Sequence, residues 1–458
     1  MAPERFAPVL AELAPLAAQF AQRGHRLYLV GGTVRDLLVG ADDHDFDLDL
    51  TTDARPEEIK DTLAGTVDAL WTQGERFGTI GAQRVDATGT ARTIEITTFR
   101  SEAYTDDSRK PVVEFADHID ADLSRRDFTI NAIALELRAA DDDPELVDPF
   151  GGAVDLAARR LRTPSGPEIS FGDDPLRMLR AARFIARFDL EPTTELVDAV
   201  RALGPRLAIV SAERIRDELD KLITVDHPAA GLWFLIDTGL VDHFAPELPA
   251  MRVEHDPIHP DNEALAHSIA VVENVRPPDR PERFNVRLTR LAALLHNVDE
   301  PGKRMNALRY SNYDVEAVTA LISLHQRVQT DSMGWSDSMG WSDSAVRRYV
   351  RDAGGLLAEL NVLARCDAIA RNATEAARLT RMMDELDARI DELSAAEELA
   401  ALGPELDGNA VMQHLDLVPG REVGEAMEYL MEIRLEEGLI GDVEIRKRLD
   451  AWWLDRGR

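Results

Sequence analysis

Apolar positions recur three and four apart through residues 4–23, which predicts an amphipathic helix. The pattern then changes. RLYLV (26–30) predicts a short strand, Gly31-Gly32 a turn, and TVRDLLV (33–39) the start of a second helix. DFDLDL (45–50) alternates strictly, so it predicts a strand with Phe46, Leu48 and Leu50 toward a core and Asp45, Asp47 and Asp49 on the opposite face. A helix is predicted over 56–65, and strands over TIGAQRV (79–85), RTIEITTF (92–99) and TINAIALEL (129–137). Together these predict a mixed α/β head. From about residue 154 strand signals vanish, and Leu, Ala and Arg recur at helical spacing to the end, so the rest reads as all-α. DSMGWS occurs at 331–336 and again at 337–342. Six residues are too few for a stacking repeat, so it reads as a duplicated loop ahead of a helix.

Composition narrows the class. The 458 residues are 45% hydrophobic and 30% charged, as in ordinary globular proteins. Amphipathic residues 4–20 carry Glu4 and Glu12 and lack the basic start and apolar core of a secretion signal. The single cysteine, Cys366, excludes an intramolecular disulfide framework, and a cytoplasmic location is the expectation. With 52 Lys+Arg against 84 Asp+Glu, the net charge is −32, which on average repels nucleic acid. Residues 159–188 reverse that trend, with seven arginines against Glu168, Asp173 and Asp174.

Carboxylates packed on one strand face repel unless a cation sits between them. Oxygen-only ligands suit a hard ion such as Mg²⁺. LVGGTVRD (29–36) lies just upstream, as strand, Gly-Gly and helix. Such a turn lets backbone approach a ligand closely, and the free N–H groups at a helix start favour phosphate. A solvated edge strand and a plain tight turn are the bland readings of each. Together, a phosphate cradle followed by a carboxylate strand fits the two-metal logic of nucleotidyl transfer.

GGTVRD, DLDL, SRRDFTINA (124–132), DPFGGAVDL (148–156), DDPLRMLRAARF (173–184) and ERIRDELDKL (213–222) follow in order. The chain resembles the class II tRNA nucleotidyltransferase family of CCA-adding enzymes and bacterial poly(A) polymerases, in an actinobacterial type. The resemblance is strong over residues 25–245. It implies an α+β architecture: a polymerase-beta-like head over 1–157, a helical neck over 158–245, an HD-like helical domain over 246–330 and a tRNA-binding tail over 331–458. It implies that Asp47 and Asp49 bind Mg²⁺ and that Glu95 helps activate the primer hydroxyl. Gly31, Gly32, Arg35 and Asp36 would hold the triphosphate, and Arg125, Arg126, Asp127 and Asn131 phosphate and ribose. Asp174 and Arg177 would act as an amino-acid template for cytosine and adenine, with Asp173 standing where the family has Glu. Asp174 also reads as a helix N-cap ahead of Pro175. Arg180 and Arg183 follow on the same helix as triphosphate or template support. The polar stretch 103–116, with Arg109, matches a loop that accompanies addition of the final A.

The substrates implied are the tRNA 3′ end, CTP and ATP, with pyrophosphate released. A poly(A) polymerase using ATP alone, or an inactive RNA-binding scaffold, remain the alternatives. The expected His-Asp of the HD domain is His296-Asn297, and the His-rich segment after it is missing, so an HD-like scaffold without phosphohydrolase activity is expected. Disturbed packing near 300–310 is expected too, with His259, His267 and His325 left as isolated histidines.

Overall fold

The computed structural model describes residues 4–40, 48–85, 89, 91–103, 112–138, 144–251, 264–278, 284–331, 335–336, 340–369, 373–397 and 402–456. The chain forms two compact units, Met1–Phe244 and Ala245–Arg458.

In the first unit a helix, α1 (Ala7–Gln22), leads into β1 (Leu27–Val30), α2 (Gly32–Val39), β2 (Leu48–Thr52) and α3 (Pro56–Leu63). There follow β3 (Ala69–Trp71), β4 (Thr79–Val85), β5 (Ala91–Thr98), the ribbon β6 (Arg100–Ala103) with β7 (Val112–Phe115), and α4 (Ile119–Ser124). β8 (Ala134–Leu137) and β9 (Leu146–Val147) complete a seven-stranded sheet in the order β3-β4-β5-β2-β1-β8-β9. β2 and β5 pair in parallel; the other neighbours are antiparallel.

Alternation sets the two faces. Leu48 and Leu50 of β2, Ile80 and Ala82 of β4, and Ile94 and Ile96 of β5 are buried in one core with Leu13, Leu16 and Phe20 of α1 and Ile59 and Leu63 of α3. Each such side chain contributes roughly 1.5–3 kcal/mol of burial. On the other face, Tyr28, Val30 and Ala134 pack with Phe99 and with Ile119 and Leu123 of α4. Asp49 and Glu95 stay exposed on the residues between the buried ones.

The predicted strand over 129–137 starts only at Ala134. Thr129–Asn131 is a single tight turn, because its side chains are drawn into polar contacts: Thr129 Oγ1 donates to Asp155 at 2.6 Å and Asn131 Nδ2 to Asp127 at 2.9 Å. Helices α5 (Gly152–Ala157), α6 (Pro167–Asp173), α7 (Arg177–Phe188), α8 (Thr194–Leu203), α9 (Ala212–Ile223) and α10 (Ala229–Asp237) finish the unit. The all-α expectation has one small exception here, a two-residue parallel pairing of Arg160–Leu161 with Glu191–Pro192.

The second unit contains α11 (Glu247–Ala250), α12 (Ala264–Asn274), α13 (Val286–Leu295), α14 (Pro301–Ala307), α15 (Asn312–Asp331), α16 (Asp343–Ala353) and α17 (Leu357–Ile369), then helices Ala373–Glu397, Gly408–Leu415, Arg421–Glu437 and Asp442–Asp455. Packing near 300–310 is not disturbed. α14 buries Met305, and Arg304 forks onto Glu247 at 2.8 and 2.6 Å. The duplicated segment supplies a short antiparallel pair in which Trp335 and Trp341 are register partners, followed by α16. Among the described residues no helix is long and apolar enough to cross a membrane.

Candidate active site

Gly31 ends β1 and caps α2 with φ +75°, a conformation that L side chains rarely adopt. A Cβ there would lie 2.9 Å from Arg126 Nη1 and 3.9 Å from Asp49 Oδ2. The glycine therefore lets Arg126 approach the backbone at the α2 N-terminus closely, with the Asp49 carboxylate next to it. Gly32 follows as the first helical residue, with Arg35 Nη2 3.5 Å from where its Cβ would be.

Asp49 and Glu95 are register partners on the parallel pair β2 and β5, so both project from the same face. Strands lie about 4.8 Å apart. Two like charges at that range repel by about 1 kcal/mol in water and by several times that in a drier cleft. Asp45 and Asp47 lie outside the described residues, as does Arg109.

Behind this surface runs a buried polar chain. Arg35, 5% exposed, donates to Asn131 Oδ1 at 2.5 Å and to Asp36 at 2.8 Å, with its guanidinium over the Phe188 ring at 4.4 Å. Asn131 donates to Asp127 Oδ1, which also accepts from the Phe128 N–H at 2.8 Å. Asp127 Oδ2 accepts a two-point clamp from Arg180 at 2.8 and 2.5 Å. Burial works against the charged carboxylate, but Arg180 and Asn131 outweigh it and hold Asp127 down to about 2. Asp127 is thus engaged on both oxygens by its own chain, a role that its place in Arg-Arg-Asp did not suggest. Asp122 serves the two preceding arginines in the same way. It is fully buried, and Arg125 at 3.0 Å and Arg126 at 3.4 Å overcome that burial and lower its pKa.

The expected template residues are also held. α7 begins at Arg177 with Leu176 as its cap, so Asp174, the predicted N-cap, stands two residues before the observed one. Its Oδ1 nevertheless accepts from the Leu176 N–H at 3.1 Å. Its Oδ2 accepts from Arg214 at 2.8 Å, a partner that sequence reasoning missed although ERIRDELDKL was noticed. Arg177 donates to Ser170 Oγ at 2.9 Å and to the Arg125 carbonyl at 2.6 Å. Arg183 does not share the Asp127 clamp. It pairs with Glu218 on α9 and lines a separate cavity of about 580 Å³ with Arg187 and Lys221. Arg187 in turn reaches Asp36 at 3.7 Å.

In the second unit, the histidines read as isolated are not. His267 Nε2 lies 2.7 Å from Asp367 Oδ1, with His325 Nε2 at 3.6 Å and His296 Nε2 at 3.9 Å. All four side chains are buried. His296 Nδ1 donates to the Ala293 carbonyl at 2.7 Å, which leaves Nε2 as an acceptor, and the Asn297 amide lies 3.0 Å from it. Burial, reinforced by His325, pushes His296 down to about 4, so its ring is neutral at pH 7. Among the described residues, His267, His296 and Asp367 are the group whose ligand atoms lie close enough to share a metal ion. His259 falls outside the described residues.

The description "Poly A polymerase head domain" matches residues 27–162, and "Probable RNA and SrmB-binding site of polymerase A" matches 187–251. A CCA-adding enzyme of Leuconostoc citreum is 33% identical over 322 residues, 70% of this chain and 72% of that one. One from Streptococcus pyogenes is 33% identical over 316 residues, 68% and 70% of the two chains. Among solved structures, a Bacillus stearothermophilus CCA-adding enzyme in complex with CTP aligns over 99% of both chains, with a TM-score of 0.71 and 24% identity. A Thermotoga maritima CCA-adding enzyme complexed with tRNA aligns over 97% of this chain and 96% of that one, with a TM-score of 0.62 and 21% identity. At those identities the structural matches speak for the fold. Nucleotidyltransferases with this head generally use divalent metal ions. The exposed Asp49 and Glu95 carboxylates, register partners on neighbouring strands with only oxygen donors to offer, fit such an ion. One-third identity across more than two thirds of both sequences, on a matching fold, places this chain in the CCA-adding enzyme family, an enzyme of the nucleotidyltransferase class.

Proposed function

We propose that this protein adds C, C and A to tRNA 3′ ends from CTP and ATP without a nucleic-acid template, in the cytoplasm and with Mg²⁺. The observation that carries the site assignment is the exposed Asp49–Glu95 pair beside the close approach of Arg126 to Gly31 at the start of α2. In each cycle the RNA 3′-oxygen bonds to the α-phosphorus of the nucleotide, and the bond to the β-phosphate bridging oxygen breaks to release pyrophosphate.

Bound Mg²⁺ would supply Lewis-acid stabilisation of the transferring phosphoryl group, held by Asp49 with Asp47. The chain's own groups do the rest. Backbone N–H groups at the α2 N-terminus and the Arg126 guanidinium hold the triphosphate. Glu95 orients the attacking hydroxyl beside Asp49. The chain from Arg180 through Asp127 and Asn131 to Arg35 keeps the phosphate corner rigid without spending Asp127 on the ligand.

Asp174 and Arg177 read the base. A carboxylate accepts from an exocyclic amine and a guanidinium donates to the adjacent ring acceptor, a pairing edge that cytosine and adenine share. Arg214 and Ser170 hold the two side chains in orientation.

The test is extension of tRNA lacking its last three nucleotides, with CTP and ATP given singly and together. Addition of two C and one A, then arrest, is expected. A long A ladder with ATP alone would convert the assignment to poly(A) polymerase, and no Mg²⁺-dependent extension would overturn it.

A further inference from the structure

The sheet face that carries the carboxylates continues outward along one row. Trp71 on β3 is the register partner of Gly81 on β4, Gly81 of Glu95 on β5, and Glu95 of Asp49 on β2. Four strands thus set Trp71, Gly81, Glu95 and Asp49 side by side. Gly81 lacks the side chain that would separate the outer two. A Cβ there would collide with the Trp71 indole, so the ring lies against the glycine, and Trp71 and Glu95 line one cleft. Trp71 is 36% exposed, so part of the ring is open to solvent. Trp71, Gln73, Phe77, Glu95 and Arg100 line a polar cleft of about 490 Å³. Arg100 donates to the Phe77 carbonyl at 2.7 Å and brings positive charge to its wall.

We propose that Trp71 is the stacking platform for the 3′-terminal base of the RNA being extended. The inference rests on the nucleotidyl-transfer reading of Asp49 and Glu95. With strands about 4.8 Å apart, the ring over Gly81 sits one strand from Glu95 and two from Asp49. A ribose whose 3′-hydroxyl meets the carboxylates can lay its base on that ring, with Arg100 adding positive charge to the wall of the same cleft. The chemistry suits the task. An enzyme that adds three nucleotides in turn meets a different terminal base at each step. Stacking accepts any base because every base has a π-face, whereas hydrogen-bond readout of the primer end would have to be rebuilt each time. The Asp174–Arg177 pair distinguishes the incoming base; Trp71 holds the outgoing end without distinguishing it.

The experiment is a coupling cycle with the full-length protein. Truncated tRNA carrying a normal or an abasic 3′-terminal nucleotide is compared on wild type, Trp71→Phe, Trp71→Leu and Trp71→Ala. For wild type and Trp71→Phe, removing the base should raise the KM for RNA about tenfold. For Trp71→Leu and Trp71→Ala the KM should already be raised by a similar factor, and the abasic penalty should vanish. The KM for CTP should move less than threefold throughout. Trp71→Leu keeps apolar cover over Gly81, so it reports on stacking even where Trp71→Ala folds poorly. An abasic penalty in Trp71→Leu equal to that of wild type would overturn the inference while leaving CCA addition in place. Failure of wild type to extend the normal tRNA would overturn both.

Discussion

Asp49 and Glu95 stand exposed on an open sheet face, whereas Asp367 is 1% exposed and ringed by His267, His296 and His325. Both places gather residues that bind metals, yet they meet their electrostatic demands differently. On the open face two carboxylates share a row, and the nearest glycine leaves space instead of a side chain. Their repulsion is tolerable in water and is relieved by an arriving cation. In the buried cluster the Asp367 charge is met from within: His267 Nε2 lies 2.7 Å from Asp367 Oδ1, and the Asn297 amide faces the acceptor nitrogen of a neutral His296. Buried polar groups left unpaired are costly, yet His267 Nδ1 is buried here with no hydrogen-bond partner. The first group of carboxylates faces solvent, whereas the second is enclosed by its own histidines.

The contrast can be broken or sharpened by experiment. The largest effect should come from Asp49→Ala, with extension falling by about 10³-fold or more (about 4 kcal/mol) in single-turnover assays. The same variant should keep its RNA affinity in a binding titration and its Tm. Loss of Tm together with activity would make Asp49 a folding residue. Next comes Asp127→Ala, which strands Arg180 and Asn131 and should cost about 3–5 kcal/mol of stability in urea unfolding. His267→Ala should cost about 2 kcal/mol by the same measurement, because it takes a donor from buried Asp367, while extension per folded molecule stays at the wild-type rate. A matching loss of extension would erase the distinction between the two centres.

Acid provides a smaller effect. Asp127 is held at about 2 in the folded chain against an ordinary value of 3.8. Its contribution, about 2 kcal/mol, is therefore complete above pH 4 and lost as pH falls toward 2. Denaturation followed from pH 5 to 2 should show that loss in wild type and not in Asp127→Asn. The smallest change should come from Asp174→Ala. Discrimination against UTP should fall about tenfold, or about 1.4 kcal/mol, and Arg214→Ala should do part of the same by releasing the carboxylate. Unchanged nucleotide choice in Asp174→Ala would remove the template role.

The open face was legible in the sequence because it is local. Strict alternation in DFDLDL puts Leu48 and Leu50 inside and Asp49 outside, and Gly31-Gly32 ahead of a helix marks the cradle. What joins them was not legible. Asp127 and Arg180 are 53 positions apart, and His267 and Asp367 are 100 apart. Such pairs are set by tertiary packing and leave no periodic trace. The same cause misled the reading of TINAIALEL, where apolar alternation promised a strand from Thr129 but side-chain bonds to Asp155 and Asp127 bend the chain first. Trp71 was passed over because a lone tryptophan between the helix predicted over 56–65 and the strand predicted over 79–85 carries no signal until the register sets it against Gly81.

The most direct test of the account replaces Mg²⁺ with Fe²⁺ in the full-length protein and maps the backbone cuts made by locally generated hydroxyl radicals. Cuts clustered near residues 47–50 and 94–96, suppressed by excess Mg²⁺, are the predicted result. Cuts confined to the neighbourhood of His267, His296 and Asp367 would contradict the assignment of the chemistry to the head.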